Sequence, residues 1–149
     1  MTVIHTERLV LRHARLDDVA AFHAILSNPV AMRWWSSLPH ASVEETRTWV
    51  EGMMTPDVGY ILHPDAWGQG LAREAVGAAI DHVFAERMTD IATADVDPEN
   101  PGSIRLLERL GFTRTGSAER TWNIGGEWKD SLYFALTRDA WQARLRTAS

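Results

Sequence analysis

The stretch that determines the fold is YILHPDAWGQGLAREA, residues 60–75. An apolar run at residues 58–62 predicts a buried strand that ends at His63, and a turn containing Gly68 and Gly70 leads into a helical pattern. The first N–H groups of a helix lack partners and carry partial positive charge. Glycines let a ligand approach such a turn closely. The stretch therefore predicts either a cradle for a phosphate group or a plain strand-to-helix turn.

Two well-known glycine-rich nucleotide loops are excluded. The dinucleotide pattern G-x-G-x-x-G needs a third glycine where Arg73 stands, and the chain has no Gly-Lys-Ser/Thr sequence. Ala72 is small enough to leave the turn accessible, and Arg73 offers a charge-assisted contact to an anion. The turn thus predicts an anion site of another kind.

End signals predict two short helices before this turn and one near the end of the chain. Asp17 favours a helix N-terminus, and Ser27 begins a Ser-Asn-Pro stop signal. Ser42 and Glu45 form a capping box for the second helix. The last helix is predicted over residues 138–146.

Two more helices flank the strand predicted at residues 91–96. The first begins in the glycine turn and ends near Arg87. The second is capped by Asn100, has Pro101 at its first position and stops at Gly111. The predicted apolar face of the first is Leu71, Ala75, Ala79 and Val83.

Strand patterns alternate with these helices and end in a hairpin. They are predicted at residues 8–12, 58–62, 91–96, 112–122 and 127–136, with a turn at 123–126. Strands that alternate with helices predict a mixed α/β sheet.

Composition limits the class of protein. The chain has 149 residues, which fits one domain over 1–149, and 45% apolar residues, which fits a folded core. It has no cysteine, so disulfides, thiolate metal sites and a cysteine nucleophile are excluded, and no metal site is predicted. A net charge of -5 without a basic patch predicts no nucleic-acid partner. Neither a signal peptide nor a transmembrane run is visible, so a cytoplasmic protein without a membrane partner is expected.

A second motif, VDPENPGSIRLLERLGF, occupies residues 96–112. Together with the glycine turn it resembles the GNAT superfamily of N-acetyltransferases, in the RimJ/RimL-like branch. Residues 67–72 resemble the acyl-CoA motif Q/R-x-x-G-x-G/A, with tryptophan in first place, and the second motif contains N-x-x-S-x-x-x-x-E-x-x-G-F. Residues 6–12 and 126–134 resemble that branch's first and closing strands, so the resemblance covers nearly the whole chain.

The resemblance implies both a fold and an activity. The fold is α/β, with a mixed, mostly antiparallel sheet that contains a splayed parallel pair and is flanked by helices. The activity is transfer of an acetyl group from acetyl-CoA to a primary amine by direct attack in a ternary complex. The acceptor is a protein N-terminus or a small amine, such as a polyamine or an aminoglycoside-like amine.

The resemblance also implies which residues bind acetyl-CoA. The pantetheine arm pairs with the backbone of Ile61, Leu62 and His63. Asn100 binds the pantetheine or holds the splayed strand, and a plain helix cap is the alternative. The phosphates lie on Trp67, Gly68, Gln69, Gly70, Leu71 and Ala72, with Arg73 beside them.

Two residues are catalytic candidates. Ser103 is placed near the thioester sulfur by the resemblance, and the alternative is a serine satisfied by the helix backbone. Asp57 lies near the position of a glutamate base in some relatives, and the alternative is an ordinary acid at a strand edge. Many members carry a tyrosine acid seven positions after the asparagine, where this chain has Leu107.

The resemblance leaves one segment without a counterpart. The family places two strands between its second helix and the strand before the glycine turn, but only residues 54–56 are available here. Two strands and a turn need about a dozen residues, so this central hairpin is predicted to be absent. Its loss exposes a sheet edge that a homodimer would cover. It also favours an alternative function, a non-catalytic domain that binds or senses acyl-CoA.

Overall fold

The structure, a computed structural model, describes residues 2–53 and 60–148. The helices are α1 (Val19–Leu26), α2 (Val43–Glu51), α3 (Leu71–Ala85), α4 (Pro101–Arg109) and α5 (Arg138–Ala148). The strands are β1 (Ile4–His5), β2 (Val10–Leu11), β3 (Ile91–Val96), β4 (Thr113–Ile124) and β5 (Glu127–Thr137). Short 3₁₀ turns occupy Leu16–Asp18, Ala31–Trp34 and Pro64–Ala66. The five predicted helices, the strand at 91–96 and the terminal hairpin are confirmed.

The described strands form two antiparallel sheets. The larger has the order β3-β5-β4, and the smaller is the β1-β2 hairpin, with Ile4 opposite Leu11. The strand predicted at 8–12 is therefore only the second half of a hairpin. Of the strand predicted at 58–62, Tyr60 to Leu62 are described, and they join neither sheet. All pairing among the described strands is antiparallel.

The main core lies between the larger sheet and the helices around it. It unites side chains from α3, β3, α4, β5 and α5, with Phe84 and Leu107 fully buried. The apolar face predicted for α3 is wrong by one position, because Val76, Ile80 and Phe84 are the buried residues. The core-facing stripe of α3 thus starts at Val76, about one turn after the glycine turn.

A smaller packed unit joins α1 and α2. Phe22 and Trp49 meet edge to face with 5.7 Å between ring centroids. The predicted cap of α2 is confirmed, since Glu45 N donates to Ser42 Oγ over 3.2 Å. The Glu45 carboxylate accepts from Ala41 N at 2.9 Å, so the reach-back lands one residue earlier than predicted. No helix in the described part of the chain is long and apolar enough to cross a membrane.

Candidate functional site

The glycine turn presents the open N-terminus of α3. Gly68 and Gly70 both have a φ of 74°, a left-handed conformation that favours glycine. Gly70 is the N-cap residue of α3. Because it has no side chain, no capping hydrogen bond reaches the first turn. The first amides of α3 are therefore available to an anion, as the sequence predicts.

A groove of about 370 Å³ lies between this turn and α4. One wall is the turn, and the other is one face of α4, with residues at helical spacings of three and four. The lining residues are Leu62, Ala66, Trp67, Gly68, Gly70, Leu71, Ala72, Arg73, Gly102, Arg105, Leu106 and Arg109. The site is thus a cleft between the N-terminal end of α3 and one face of α4.

Three arginines make this groove basic. Arg73 comes from α3, and Arg105 and Arg109 come from α4, where they stand four residues apart. All three are exposed, and none has a carboxylate partner within 4.0 Å among residues 2–53 and 60–148. Because the whole chain has a net charge of -5, this unpaired positive cluster stands out against an acidic background. Such a groove is suited to a phosphorylated ligand.

The predicted binding residues divide between the groove and its supports. Those that line it are Leu62, Trp67, Gly68, Gly70, Leu71, Ala72 and Arg73. Those placed beside it rather than on its surface are Ile61, His63, Gln69, Asn100 and Ser103. Asp57, the candidate base, lies outside the described residues.

Side chains of the turn form hydrogen bonds with its backbone. The Trp67 indole N–H donates to the Leu62 carbonyl over 3.1 Å, and the Gln69 amide donates to the Asp65 carbonyl over 3.1 Å. His63 Nδ1 accepts from Asp65 N at 3.2 Å. Trp67, at the first motif position, therefore links the turn to the backbone of Leu62. The Leu62 carbonyl retains a second lone pair for another donor.

Asn100 makes two contacts with the first turn of α4. Its Oδ1 accepts from Ser103 N at 3.2 Å, and its Nδ2 donates to Ser103 Oγ at 3.1 Å. The predicted helix cap is confirmed. The two bonds also fix the half-buried side chain of Ser103, the residue that directly follows Gly102 of the groove lining. Contact of either residue with pantetheine stays a prediction.

Tyr60 is a polar group that the sequence reasoning missed. Its hydroxyl is buried and makes no hydrogen bond in the described part of the chain. Burial raises the pKa of this phenol, and the nearby Ser103 side chain opposes the rise. Tyr60 and Ser103 are far apart in sequence, so no motif spacing signals their proximity. The sequence reasoning also missed Arg105 and Arg109. These follow Gly102 by three and seven positions, so helical periodicity alone puts all three on one face of α4.

A second cavity of about 310 Å³ lies between the segment after α1 and the end of the β4–β5 hairpin. Its lining includes Trp35, Arg33 and Leu38 from the segment, and Glu127 and Lys129 from β5. The Lys129 ammonium lies 2.9 Å from the Glu127 carboxylate, and the Arg33 guanidinium lies over the Trp34 ring, 4.7 Å from its centroid, so one of the two cations in this lining is paired with a carboxylate.

Comparisons with known proteins identify the family. The model for the acetyltransferase (GNAT) domain matches residues 8–57 and 51–113, well over half of the chain. The two matches meet where the central hairpin is predicted to be absent. That absence stays a prediction, because residues 54–59 lie outside the described ranges.

Individual relatives agree with this match. The probable N-acetyltransferase YjcK of Bacillus subtilis is 36% identical over 84 residues, which are 56% of this chain and 46% of the relative. The ribosomal protein uS5 alanine N-acetyltransferase of Escherichia coli is also 36% identical over 84 residues, 56% of this chain and 43% of the relative. The match thus spans about half the length of these relatives.

A solved structure confirms the fold. It is RimL, an L7/L12 N-terminal acetyltransferase in complex with coenzyme A, with a TM-score of 0.82 at 22% identity. The likeness covers 93% of this chain and 99% of that structure. The antiparallel sheets, the flanking helices and the turn before α3 are therefore those of the GNAT fold. By its motifs, its fold and the family model that matches well over half of its residues, this chain belongs to the GNAT acetyltransferase family.

Proposed function

We propose that this chain transfers an acetyl group from acetyl-CoA to a primary amine by direct attack in a ternary complex. The observation that carries the proposal is the unpaired basic groove, which meets a left-handed glycine turn at the start of α3. Acetyl-CoA is the co-substrate of this family. Its diphosphate is the kind of anion that helix N-terminal amides and guanidinium groups bind.

We infer separate tasks for the two walls of the groove. The first amides of α3 hold one phosphate through backbone N–H groups, which requires the bare surface of Gly68 and Gly70. Arg73 and the α4 arginines neutralise the remaining charge from the sides. The Leu62 backbone offers its free lone pair to an amide of the pantetheine arm.

The chemistry requires a proton to leave the amine and one to reach the departing sulfur. Bound acetyl-CoA supplies a thioester whose carbonyl carbon accepts the amine nitrogen. Ser103 is our candidate for the proton donor at the sulfur, since it directly follows Gly102, which lines the groove. Water takes the proton that leaves the amine. Holding both substrates in line contributes much of the rate in such reactions, so one positioned donor is enough.

Hydrogen-bond counting gives Ser103 a direction. A serine hydroxyl has one donor and two acceptor sites, and Asn100 Nδ2 already fills one acceptor site. We propose that the Tyr60 hydroxyl fills the second when the groove is occupied, because such bonds often tighten only in the complex. Burial keeps the Tyr60 phenol neutral, so it acts as a donor. The Ser103 proton is then free to point to the ligand.

Tyr60→Phe is expected to lower kcat about 3- to 10-fold with little change in KM for acetyl-CoA. The reason is the loss of the hydrogen bond that orients Ser103, which contributes about 1 kcal/mol. The melting temperature of the free protein should stay constant or rise, because a buried hydroxyl without a partner is removed. Tyr133→Phe is the matched control, since Tyr60 and Tyr133 are the only tyrosines. An unchanged kcat in Tyr60→Phe would remove Tyr60 from the mechanism.

Two measurements test the proposed function. Coenzyme A at about 100 times its Kd should add about 2.7 kcal/mol to the free energy of unfolding, a rise in melting temperature of about 5–10 °C. Free-thiol release from acetyl-CoA should then depend on one of a panel of primary amines, including peptide N-termini and polyamines. Binding without release for any amine would support the sensing domain instead, and no shift in melting temperature contradicts both functions. The homodimer and the cytoplasmic location stay predictions.

A further inference from the structure

A carboxylate belongs to the same helix turn as the proposed diphosphate site. Glu74 is in the first turn of α3, directly after the groove residue Arg73. An acid in the first turn favours the helix, but its negative charge opposes the binding of an anion at the same N-terminus. A coenzyme A site at this turn therefore requires a cation that cancels the charge of Glu74.

The cation comes from the β1–β2 hairpin. Arg8 Nε donates to Glu74 Oε2 at 2.7 Å, and Arg8 Nη2 lies 2.7 Å from the same oxygen. Arg8 N also donates to Glu74 Oε1 at 2.8 Å, and Thr6 Oγ1 donates to that oxygen at 2.6 Å. Both carboxylate oxygens are thus occupied by donors from one hairpin.

The same guanidinium holds the glycine turn. Arg8 Nη1 donates to the Gln69 carbonyl at 2.7 Å. The C=O and N–H groups of a trans peptide point in opposite directions, so this bond directs the Gly70 N–H away from Arg8. A Cβ added at Gly70 would lie 3.6 Å from Arg8 Nη2, which shows how closely Arg8 packs on the turn.

We propose that Arg8 is a positioning residue of the coenzyme A site: it cancels the charge of Glu74 and fixes the Gln69–Gly70 peptide, so that the turn accepts a diphosphate. The inference rests on the proposed function and assigns a role to a residue outside the groove.

We expect Glu74 to stay ionised when the guanidinium is removed. The pKa of its carboxyl is lowered first by the hydrogen bond from Thr6, then by that from the Arg8 backbone N–H, and only after these by the Arg8 side chain. Replacing Arg8 by glutamine leaves the first two donors in place. Such a variant therefore keeps the negative charge of Glu74 at the N-terminus of α3 but lacks the positive charge that cancels it.

A double-mutant cycle tests the inference. Arg8→Gln is expected to raise the Kd for coenzyme A about 10-fold or more, and Arg8→Lys, which keeps the charge, should weaken binding less. Glu74→Gln should bind as tightly as the wild type or tighter, and Arg8→Gln with Glu74→Gln should regain most of the lost affinity. A purely structural pair predicts the opposite, similar losses in both single variants and no recovery in the double variant.

Two controls separate this inference from its basis. Arg12→Gln breaks an ion pair of similar length, Arg12 with Asp18 at 2.8 Å, which follows the same hairpin and lies outside the groove lining. It should leave the Kd for coenzyme A unchanged. The kcat/KM for S-acetylpantetheine, which lacks the diphosphate, should not change in Arg8→Gln. If the wild type fails to bind coenzyme A, the proposed function fails; if it binds and Arg8→Gln binds equally well, only this inference fails.

Discussion

Reversing the charge of Arg105 and Arg109 is expected to weaken coenzyme A binding by more than about 100-fold, since each charge-assisted hydrogen bond contributes about 1.5–3 kcal/mol and glutamate adds repulsion. Both residues are exposed on the groove face of α4. The buried residues Leu107 and Leu110 hold this segment in the core, so the fold should persist.

Calorimetry with coenzyme A at two salt concentrations checks this expectation. The wild type should lose affinity as salt rises, and the Arg105→Glu/Arg109→Glu variant should show a weaker dependence. Arg114→Glu is the matched control for Arg105→Glu and Arg109→Glu measured singly, because each of the three changes one charge. Arg114 is exposed on β4 and does not line the groove. Equal weakening by Arg114→Glu would mean that net charge, and not the groove, governs binding.

Gly68→Val should lower coenzyme A affinity at least about 10-fold, or about 1.4 kcal/mol, because the methyl groups of the valine would occupy the approach to the amides of α3. The left-handed φ of 74° also penalises a β-branched residue. We expect a fall in melting temperature of about 2–8 °C from a backbone cost of about 1–2 kcal/mol.

Gly126→Val isolates the backbone cost of the Gly68 change. Gly126 has a φ of 89° and lies in the turn between β4 and β5, and a Cβ at either glycine meets nothing within 4 Å. Both variants should therefore lose similar stability in thermal unfolding, but only Gly68→Val should lose coenzyme A affinity. Comparable affinity losses in the two variants would show that strain, rather than a blocked groove, explains the effect.

Local signals in the sequence predicted the framework of the site well. The strand at 91–96, the Asn100 cap and the glycine turn each depend on a few neighbouring residues, so the pattern alone identifies them. The α3 face was displaced by one position, because alanines that recur every four residues resemble a core stripe. The actual stripe of Val76, Ile80 and Phe84 is larger and starts later.

Contacts between distant segments were not predictable from one sequence. Arg8 and Glu74 are 66 positions apart, and nothing in their local patterns links them. The proximity of Tyr60 to Ser103 has the same origin. Whether Asp57 is a base also depends on tertiary placement, and Asp57 lies outside the described ranges. The sequence thus located the chemistry of the turn and left its supports undetermined.

The bond between the first hairpin and α3 affects any attempt to transplant this site. Residues 62–109 contain the whole groove lining and form an obvious cassette for grafting into another scaffold. Such a cassette would carry Glu74 without Thr6 and Arg8, and so would import a repulsive charge with its compensation left behind. A working graft must therefore take two separate pieces of chain, or replace Glu74 by glutamine in the single piece.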